Sequence, residues 1–463
     1  MRRPPACLAG LAMALLLGNG PLAAQDADLD ALRLADAAPD EVHAPSDWRR
    51  FVELGLGGSQ PRGGGDTRSN RRLSLDIQYD HALNRDWRVL VANRLDLSQP
   101  ALRGSEEAIN TLKEAYLSGR LQPDTLLDLG RINVRNGVAL GYNPTDYFRA
   151  GAVRAAVSVS PASLKENRQG SVMLRGQHLW EGGSLSMLLS PGLARQPEPE
   201  GLNPDLGATN RQHRGLLTLS QKVAGFTPQL LIYQEEGRPT QFGFNLTGLV
   251  TDATVAYLES SAGRSPAHLT QAATAFSPCR CSDWHKHLSA GLTHTTADKL
   301  SLTAEYHHNG SGLDEADWRR LRQGPLPLYG LYRQWAGSTQ EMPTRRAVFL
   351  YGVWQDALPP RRGPPPLRGL PRRRPGGPQE TPPRRPVFLS GLWQDALLPR
   401  LDLSAMHHVD LIDRSRRSWL EARYHVDRLE YAAQWLQHRG APLSVFGALP
   451  ETRSWQLSLR YFF

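Results

Sequence analysis

Apolar and polar side chains alternate with a period of two along much of this 463-residue chain. Segment 73–79 interleaves Leu, Leu, Ile and Tyr with Ser, Asp and Gln, and segments 300–307, 420–426 and 455–463 repeat the pattern. Because successive side chains of a β-strand point to opposite faces, each segment predicts a strand with one apolar and one polar face. No apolar run outside the amino terminus reaches 18 residues, so a bundle of transmembrane helices is excluded.

Two all-β architectures fit such strands. A β-sandwich buries the apolar face between two sheets, whereas a transmembrane β-barrel turns it towards lipid. Segments of about ten residues suit a tilted strand that crosses a bilayer. Aromatic residues such as Trp87, Trp180, Tyr306 and Trp435 stand at segment ends, where interface girdles form. The barrel is therefore the predicted fold.

The spacing of the segments predicts about 18 strands, with 16 as the alternative because 112–119 and 240–260 alternate poorly. Even-to-odd connections are short, and most odd-to-even connections are long, which matches the short periplasmic turns and long extracellular loops of bacterial barrels. The predicted strands are 51–57, 72–80, 87–97, 112–119, 125–132, 171–180, 184–190, 214–221, 227–235, 240–249, 253–260, 284–294, 299–308, 386–396, 400–409, 417–426, 428–437 and 454–463.

The amino terminus has the pattern of a secretory signal peptide. Arg2 and Arg3 precede an apolar core, and small residues end at Ala24, which predicts residues 1–24 as a cleaved signal. Residues 25–47 are acidic and predict a periplasmic segment before a barrel over 48–463. Export and a lipid-facing barrel together predict a cell outer-membrane location.

The formal net charge of +9 first indicates an anionic partner. Most of that charge lies in Pro359–Arg385, which contains eight Arg and one acid. This stretch joins two copies of one sequence, 346–359 and 385–398. We expect the second copy to be a barrel strand and 347–385 to be a duplicated, Pro/Arg-rich insertion in an outer loop; the converse choice of copies stays open. The insertion is either an arm that binds lipopolysaccharide or an expansion without a role.

Polar positions of the alternating segments are candidates for the inner wall of a channel, where charged side chains set ion selectivity. The alternative is a solvated wall without a selective role. The candidate lumen-facing residues are Asp76, Gln78, Arg88, Arg94, Asp96, Glu305, His307, Glu421, Arg423 and Glu430.

The connection 133–170 is the most distinctive loop, since it combines turn chemistry at Gly137, Gly141 and Asn143-Pro144 with aromatic and charged residues. The loop is either a constriction inside the barrel or purely structural. Its candidate constriction residues are Tyr142, Asn143, Asp146, Tyr147 and Arg149.

Two features resemble known Gram-negative proteins. The final segment resembles the assembly signal of outer-membrane barrels, carried by Trp455, Leu457, Leu459, Tyr461 and Phe463. Gly130-Arg131, followed by Asn136-Gly137 and Asn143-Pro144-Thr145-Asp146, resembles a segment of porin-like outer-membrane proteins.

The resemblance implies a channel that passes small hydrophilic solutes, without a cofactor. It also implies contact with outer-membrane lipid and lipopolysaccharide, handling by the outer-membrane assembly machinery, and a homotrimer as the habit of the family. An export conduit for a polysaccharide or another polymer is the alternative. A hydrolase and a structural barrel with a plugged lumen are the less favoured alternatives.

No sequence motif marks an enzyme or a resident metal. The G-x-S-x-G, H-E-x-x-H, Walker and Rossmann patterns are absent, so the chain is not expected to be an enzyme. Cys279 and Cys281, with His285 and His287 nearby, offer zinc-type ligands. A disulfide or two idle thiols explain the same residues, and no metal site is predicted.

Overall fold

A computed structural model describes residues 46–100, 107–198, 200–273, 283–339, 341–357 and 400–463. The predicted signal peptide, all but the last two residues of the acidic segment, Cys279, Cys281 and the second copy of the repeat lie outside the described residues.

Eighteen antiparallel strands form one sheet. Seventeen of them overlap the strands predicted from alternation. The strands are β1 Trp48–Pro61, β2 Arg68–Ala82, β3 Trp87–Gln99, β4 Ala108–Gln122, β5 Thr125–Ile132, β6 Ser171–Trp180, β7 Gly183–Ser190, β8 Arg214–Gln221, β9 Phe226–Glu235, β10 Gln241–Thr251, β11 Thr254–Ser265, β12 Asp283–Thr295, β13 Leu300–Asn309, β14 Arg346–Trp354, β15 Leu401–Asp410, β16 Arg416–Val426, β17 Leu429–Arg439 and β18 Glu451–Phe462.

The sheet closes on itself. Each strand pairs with its neighbours in sequence, and β1 also pairs with β18, with Phe51 opposite Phe462 and Leu56 opposite Leu457. A closed sheet leaves no edge strand and encloses a lumen. The structure confirms the prediction of an all-β antiparallel barrel of 18 strands and excludes the two-sheet sandwich.

The apolar face of each strand points outward. Leu54, Leu230, Leu302 and Leu420 are each more than half exposed to the surroundings of the barrel. Their neighbours on the opposite face are buried, as Glu53, Thr303 and Glu421 show. A continuous exposed apolar wall is unstable in water and stable in lipid, so the wall is built for a bilayer. On β18, the positions of the predicted assembly signal up to Tyr461 belong to this outward face.

The connections differ sharply between the two ends of the barrel. At the end where β1 begins, which we call the inner end, seven of the eight connections have two to four residues. The opposite, outer end carries the long loops, including 133–170 and 310–345. Short turns lie on the periplasmic side of bacterial barrels, so the outer end faces the exterior.

The duplicated segment corrects one prediction. The first copy of the repeat forms β14, which pairs with β13 and β15, so residues 347–354 are a barrel strand and not an insertion. The connection from β14 to β15 leaves from the inner end, since the Ala357 N–H donates to the Leu401 carbonyl at 2.7 Å. The Pro/Arg-rich stretch lies within residues 358–399, which are outside the described residues. Parity explains the outcome, because a strand that descends from the outer end must end at the inner one.

Within the described ranges, five short helices accompany the barrel: α1 Pro161–Glu166, α2 Leu206–Thr209, α3 His268–Ala273, α4 Glu315–Gln323 and α5 Leu326–Thr339. Helices α4 and α5 pack Trp318 and Tyr332 against Phe446 of the loop before β18, which forms an apolar cap at the outer end. Asp314 caps α4 by accepting from the Ala316 and Asp317 N–H groups at 2.9 Å. No helix among the described residues has the length and apolar character needed to cross a membrane.

Candidate constriction site

The connection 133–170 folds into the barrel and is held there by two buried carboxylates. Glu259 of β11 accepts from the Val138 N–H and from the Ala139 N–H, the latter at 2.5 Å. Glu305 of β13 accepts from the next two N–H groups, those of Leu140 and Gly141, at 2.6 and 2.8 Å. Hydrogen bonds from four consecutive backbone donors to these two side chains anchor the segment to the wall.

Two glycines make this approach sterically feasible. A Cβ on Gly137 would lie 2.5 Å from a Glu259 carboxylate oxygen, and the φ of +82° at Gly137 also disfavours other residues. A Cβ on Gly141 would lie 2.6 Å from the His307 ring and 2.7 Å from the Phe349 ring. The Gly-x-x-x-Gly spacing that marks this loop in the sequence therefore reflects backbone packed against the wall.

The candidate residues of the loop lie together inside the barrel, and each has a partner. The Asn143 amide donates to the Ala139 carbonyl and lies 3.4 Å from Glu259. Asp146 accepts from Arg168 of the same loop at 2.6 Å. The Tyr147 hydroxyl lies 2.9 Å from the Ser261 hydroxyl. These contacts hold the descending part of the loop against β11.

Tyr147 also stacks on Tyr233, with ring centroids 4.5 Å apart and planes 3° apart. Burial raises the pKa of Tyr147 to about 12, so its hydroxyl stays protonated and able to donate at neutral pH. The stack joins the loop to β9 as well as to β11.

Tyr142 and Arg149 connect the loop to the outer part of the barrel. The Tyr142 hydroxyl lies 3.1 Å from His287 Nδ1, and Arg149 forms an ion pair of 3.0 Å with Glu341. Burial raises the pKa of Glu341, the Arg149 guanidinium lowers it, and the net shift is downward. Arg149 also covers the face of the Tyr142 ring at 5.7 Å.

The rest of the loop reaches the opposite wall. The Val157 carbonyl accepts from Arg72 of β2 at 3.4 Å, and the Ser158 hydroxyl donates to Gln434 of β17 at 3.3 Å. At the end of α1, Glu166 forms an ion pair of 3.0 Å with Arg49 of β1. The segment therefore crosses the lumen from β11 and β13 to β17, β1 and β2.

An alternating chain of charges covers the inner wall from β16 to β4, and we call it the charged wall. Arg423 pairs with Glu421 at 3.0 Å and with Glu430 at 2.8 Å. Arg460 then joins Glu430 to Glu53 at 3.0 and 2.6 Å. The remaining members are Arg72 on Glu53, Arg94 on Asp96, and Lys113 on Asp76.

The structure shows which of the candidate lumen residues face the lumen near the loop. Asp76, Arg94, Asp96, Glu421 and Arg423 are members of the charged wall and face inward. Glu305 and His307 also face inward and pair at 2.7 Å beneath the loop. Gln78 is half-buried on β2, and Arg88 pairs with Asp80 near the inner end, away from the loop. Their roles in solute selection stay predictions.

Sequence reasoning missed several residues that shape this site, above all Glu259, Glu53, Arg72, Lys113 and Arg460. Glu53 and Arg460 stand on the polar phase of alternating strands, so that phase was a usable signal. Glu259 lies in a segment where small polar residues make the alternation hard to recognise. The inner wall there contacts the backbone of the loop 133–170. Among the described residues, no group of three or more His, Cys, Asp or Glu is placed to hold a metal ion.

Comparison with known proteins supports the fold. No protein-family model and no curated protein matches the chain. The crystal structure of Acinetobacter baumannii OccAB1 is similar, with a TM-score of 0.54 and 8% identity, covering 90% of this chain and 96% of that chain. Pseudomonas aeruginosa OccK2 (OpdF), in complex with glucuronate, has a TM-score of 0.50 and 10% identity, covering 90% and 97%.

At sequence identities this low, the similarity to these structures supports the fold alone. The closed 18-stranded barrel, its apolar exterior and these similarities confirm the predicted fold, an antiparallel transmembrane β-barrel.

Proposed function

We propose that the chain is an outer-membrane channel through which small hydrophilic solutes pass without covalent chemistry. A barrel of 18 strands is wide enough to enclose a water-filled path when loops do not fill it completely. The inner wall carries ionisable side chains, whereas the outward face at mid-strand carries leucines such as Leu54, Leu230 and Leu302. This distribution suits a polar path through an apolar layer.

The observation that carries the proposal is the anchored loop. The segment 138–141 is bound at Glu259 and Glu305, and the chain then runs to the charged wall, so any solute must pass between this loop and the wall. Arg423 and Arg460 keep about a quarter and a fifth of their side-chain surface exposed, respectively. These two guanidinium groups are therefore the charges that a passing solute meets.

A second candidate function is a structural barrel that the same loop plugs. The observation in its favour is the depth of burial of the charged wall, since Asp76 and Asp96 are each 1% exposed. Both functions share one fold, and they differ in whether ions cross.

Ion conductance of the purified, refolded chain in planar lipid bilayers tests the proposal. We expect stable ohmic steps, and we expect Arg149→Ala to shift the reversal potential in a salt gradient because it leaves the Glu341 carboxylate without its cation. Arg85→Ala, in a turn at the inner end, is the matched control and should leave the potential unchanged.

The absence of conductance in a protein that shows heat-modifiable migration would reject the channel and favour the plugged barrel. Conductance with an unchanged reversal potential in Arg149→Ala would keep the channel and remove Arg149 from its selectivity.

A further inference from the structure

A serine and a histidine meet on the outward face of the barrel, near its outer end. The Ser418 hydroxyl of β16 lies 2.9 Å from His407 Nδ1 of β15, and the two residues are directly opposite each other in the strand register. Their outward direction follows from alternation, since their sequence neighbours Trp419 and Met406 are both buried inside the barrel. The contact therefore faces the membrane and lies apart from the channel.

The height of this pair on the barrel places it at the membrane–water interface. Trp435 of β17 and Trp455 of β18 lie opposite each other on the same outward face, and tryptophans concentrate at that interface. Ser418 is opposite Gln437, which is two residues beyond Trp435 towards the outer end, or about 7 Å along the strand. The ester groups of lipids lie in this layer, because they join the polar headgroups to the acyl chains.

The two side chains have the relation that acyl transfer requires. A serine hydroxyl is a weak nucleophile until a base takes its proton, and the base must lie within about 2.6–3.2 Å to do so. A neutral imidazole that carries its proton on Nε2 presents the Nδ1 lone pair to the Ser418 hydroxyl at such a distance. Ser418 can therefore lose its proton to His407 as it attacks an ester carbonyl.

The neighbouring outward side chains suit the other parts of an ester substrate. Gln437 flanks Ser418 on the side away from His407, and its side chain makes no hydrogen bond within the described part of the chain. Its amide N–H groups are therefore available to the oxyanion that forms during the attack. Leu350, opposite His407, and Leu420, next to Ser418 towards the apolar band, are 45% and 51% exposed and can contact the acyl chain.

We propose that Ser418 and His407 form a catalytic dyad that hydrolyses the acyl ester of a glycerophospholipid at the outer face of the membrane. Ser418 Oγ bonds to the ester carbonyl carbon, while His407 takes the hydroxyl proton and passes it to the departing glycerol oxygen. Water then attacks the acyl-serine, gives one proton to His407, and releases the fatty acid as Ser418 regains its proton. One water is consumed for each ester bond that breaks, and no other reactant is needed.

The pair lacks the acid that orients the histidine of a full triad. Within the described ranges, no carboxylate lies at hydrogen-bond distance from His407. We therefore expect slow turnover, for which covalent labelling of the serine is a more sensitive measurement than the rate of hydrolysis. The activity is on the outside of the barrel and is independent of the channel function.

Reaction of the refolded full chain with an alkyl fluorophosphonate, in mixed micelles of detergent and phosphatidylglycerol, tests the dyad. We expect a single label, located at Ser418 by peptide mass spectrometry, and release of fatty acid and lysophospholipid in equal amounts without the probe. Ser418→Ala should lose the label and the release, and His407→Gln should slow both about a hundredfold because the base is absent.

The matched control uses a similar contact on the outward face at the inner end, where the Thr254 hydroxyl lies 2.9 Å from His294 Nδ1. The double variant Thr254→Ala with His294→Gln should take the label and release fatty acid like the wild type. Heat-modifiable migration and conductance check that all variants are folded. A wild-type protein that takes no label would overturn the proposal, as would fatty-acid release that persists in Ser418→Ala.

Discussion

The two anchoring carboxylates allow a direct test of how the loop is held in the lumen. Replacing Glu259 and Glu305 by Gln keeps the size of each side chain and removes its charge. Four backbone N–H groups, from Val138 to Gly141, then face a neutral amide in place of a carboxyl group. We expect the double variant to fold as a barrel while the loop leaves the wall much more often.

The magnitude follows from the number of bonds. A hydrogen bond to a charged group contributes about 1.5–3 kcal/mol and a neutral one about half of that, so each N–H loses about 1 kcal/mol. The two bonds to Glu305 together lose about 2 kcal/mol, which raises the ratio of released to anchored loop about thirtyfold. Glu305 also accepts from the Tyr257 hydroxyl of β11 and pairs with His307, so its replacement affects the wall as well as the loop.

Single-channel recording and limited proteolysis of the refolded protein measure this change. The Gln double variant should show larger and noisier conductance, and the loop should be cut faster. The matched control, Asp128→Asn with Glu430→Gln, removes two inward carboxylates that pair with arginines and do not contact the loop. If the two double variants showed the same noise and the same rate of cleavage, the carboxylates would not be the anchors.

Two further predictions concern the duplication and the cap. Deleting residues 358–396 removes one 39-residue repeat and should leave a folded barrel with heat-modifiable migration. The reason is that Ala357 and Leu401 are already hydrogen-bonded at the inner end. Loss of that migration would show that the segment is needed for folding. Burial lowers the pKa of His268 in α3 from 6.5 to about 4, so the folded state resists its protonation. The free energy of local unfolding of α3 should therefore fall by about 3 kcal/mol as the pH drops from 6.5 to 4. Hydrogen exchange of α3 measures this fall, and an equal fall in His268→Gln would contradict the assignment.

Strand positions were predictable from the sequence because the physical cause is local. The apolar face of β2, with Leu73 and Leu75, must contact lipid whatever the other strands do, so alternation is visible in one strand alone. The alternation of short and long connections likewise indicated an even number of strands. The fold therefore followed from local pattern and a count of strands.

The candidate site was only partly predictable, since its defining contacts join residues far apart in sequence. Glu259 is recognisable as an anchor only when Val138 and Ala139 lie beside it, 120 or more residues away along the chain. Likewise, Arg460 and Glu53 belong to one ion-pair chain because β18 closes against β1. Alternation showed which side chains face the lumen and could not show which of them meet.

The choice between the two copies of the repeat has a physical explanation that the sequence contained. Only one descending strand fits between β13 and β15, and 10 of the 14 aligned positions are identical in the copies. In the second copy, Pro386 replaces Ala347, which lies buried between His307 and Asp410 on the two neighbouring strands. Proline lacks the N–H that a central strand uses, so the first copy suits this position better.

Position 351 favours the first copy as well. Tyr351 stacks near Phe349 inside the barrel, with ring centroids 6.2 Å apart and planes 19° apart. The second copy has Ser390 at the equivalent position, which would remove this contact and leave a gap beside Phe349. The short turn sequence Leu398-Pro399-Arg400, which joins the second copy to β15, favours the opposite choice. A buried proline and a lost aromatic contact destabilise the strand itself. They therefore outweigh the advantage of a short turn between strands.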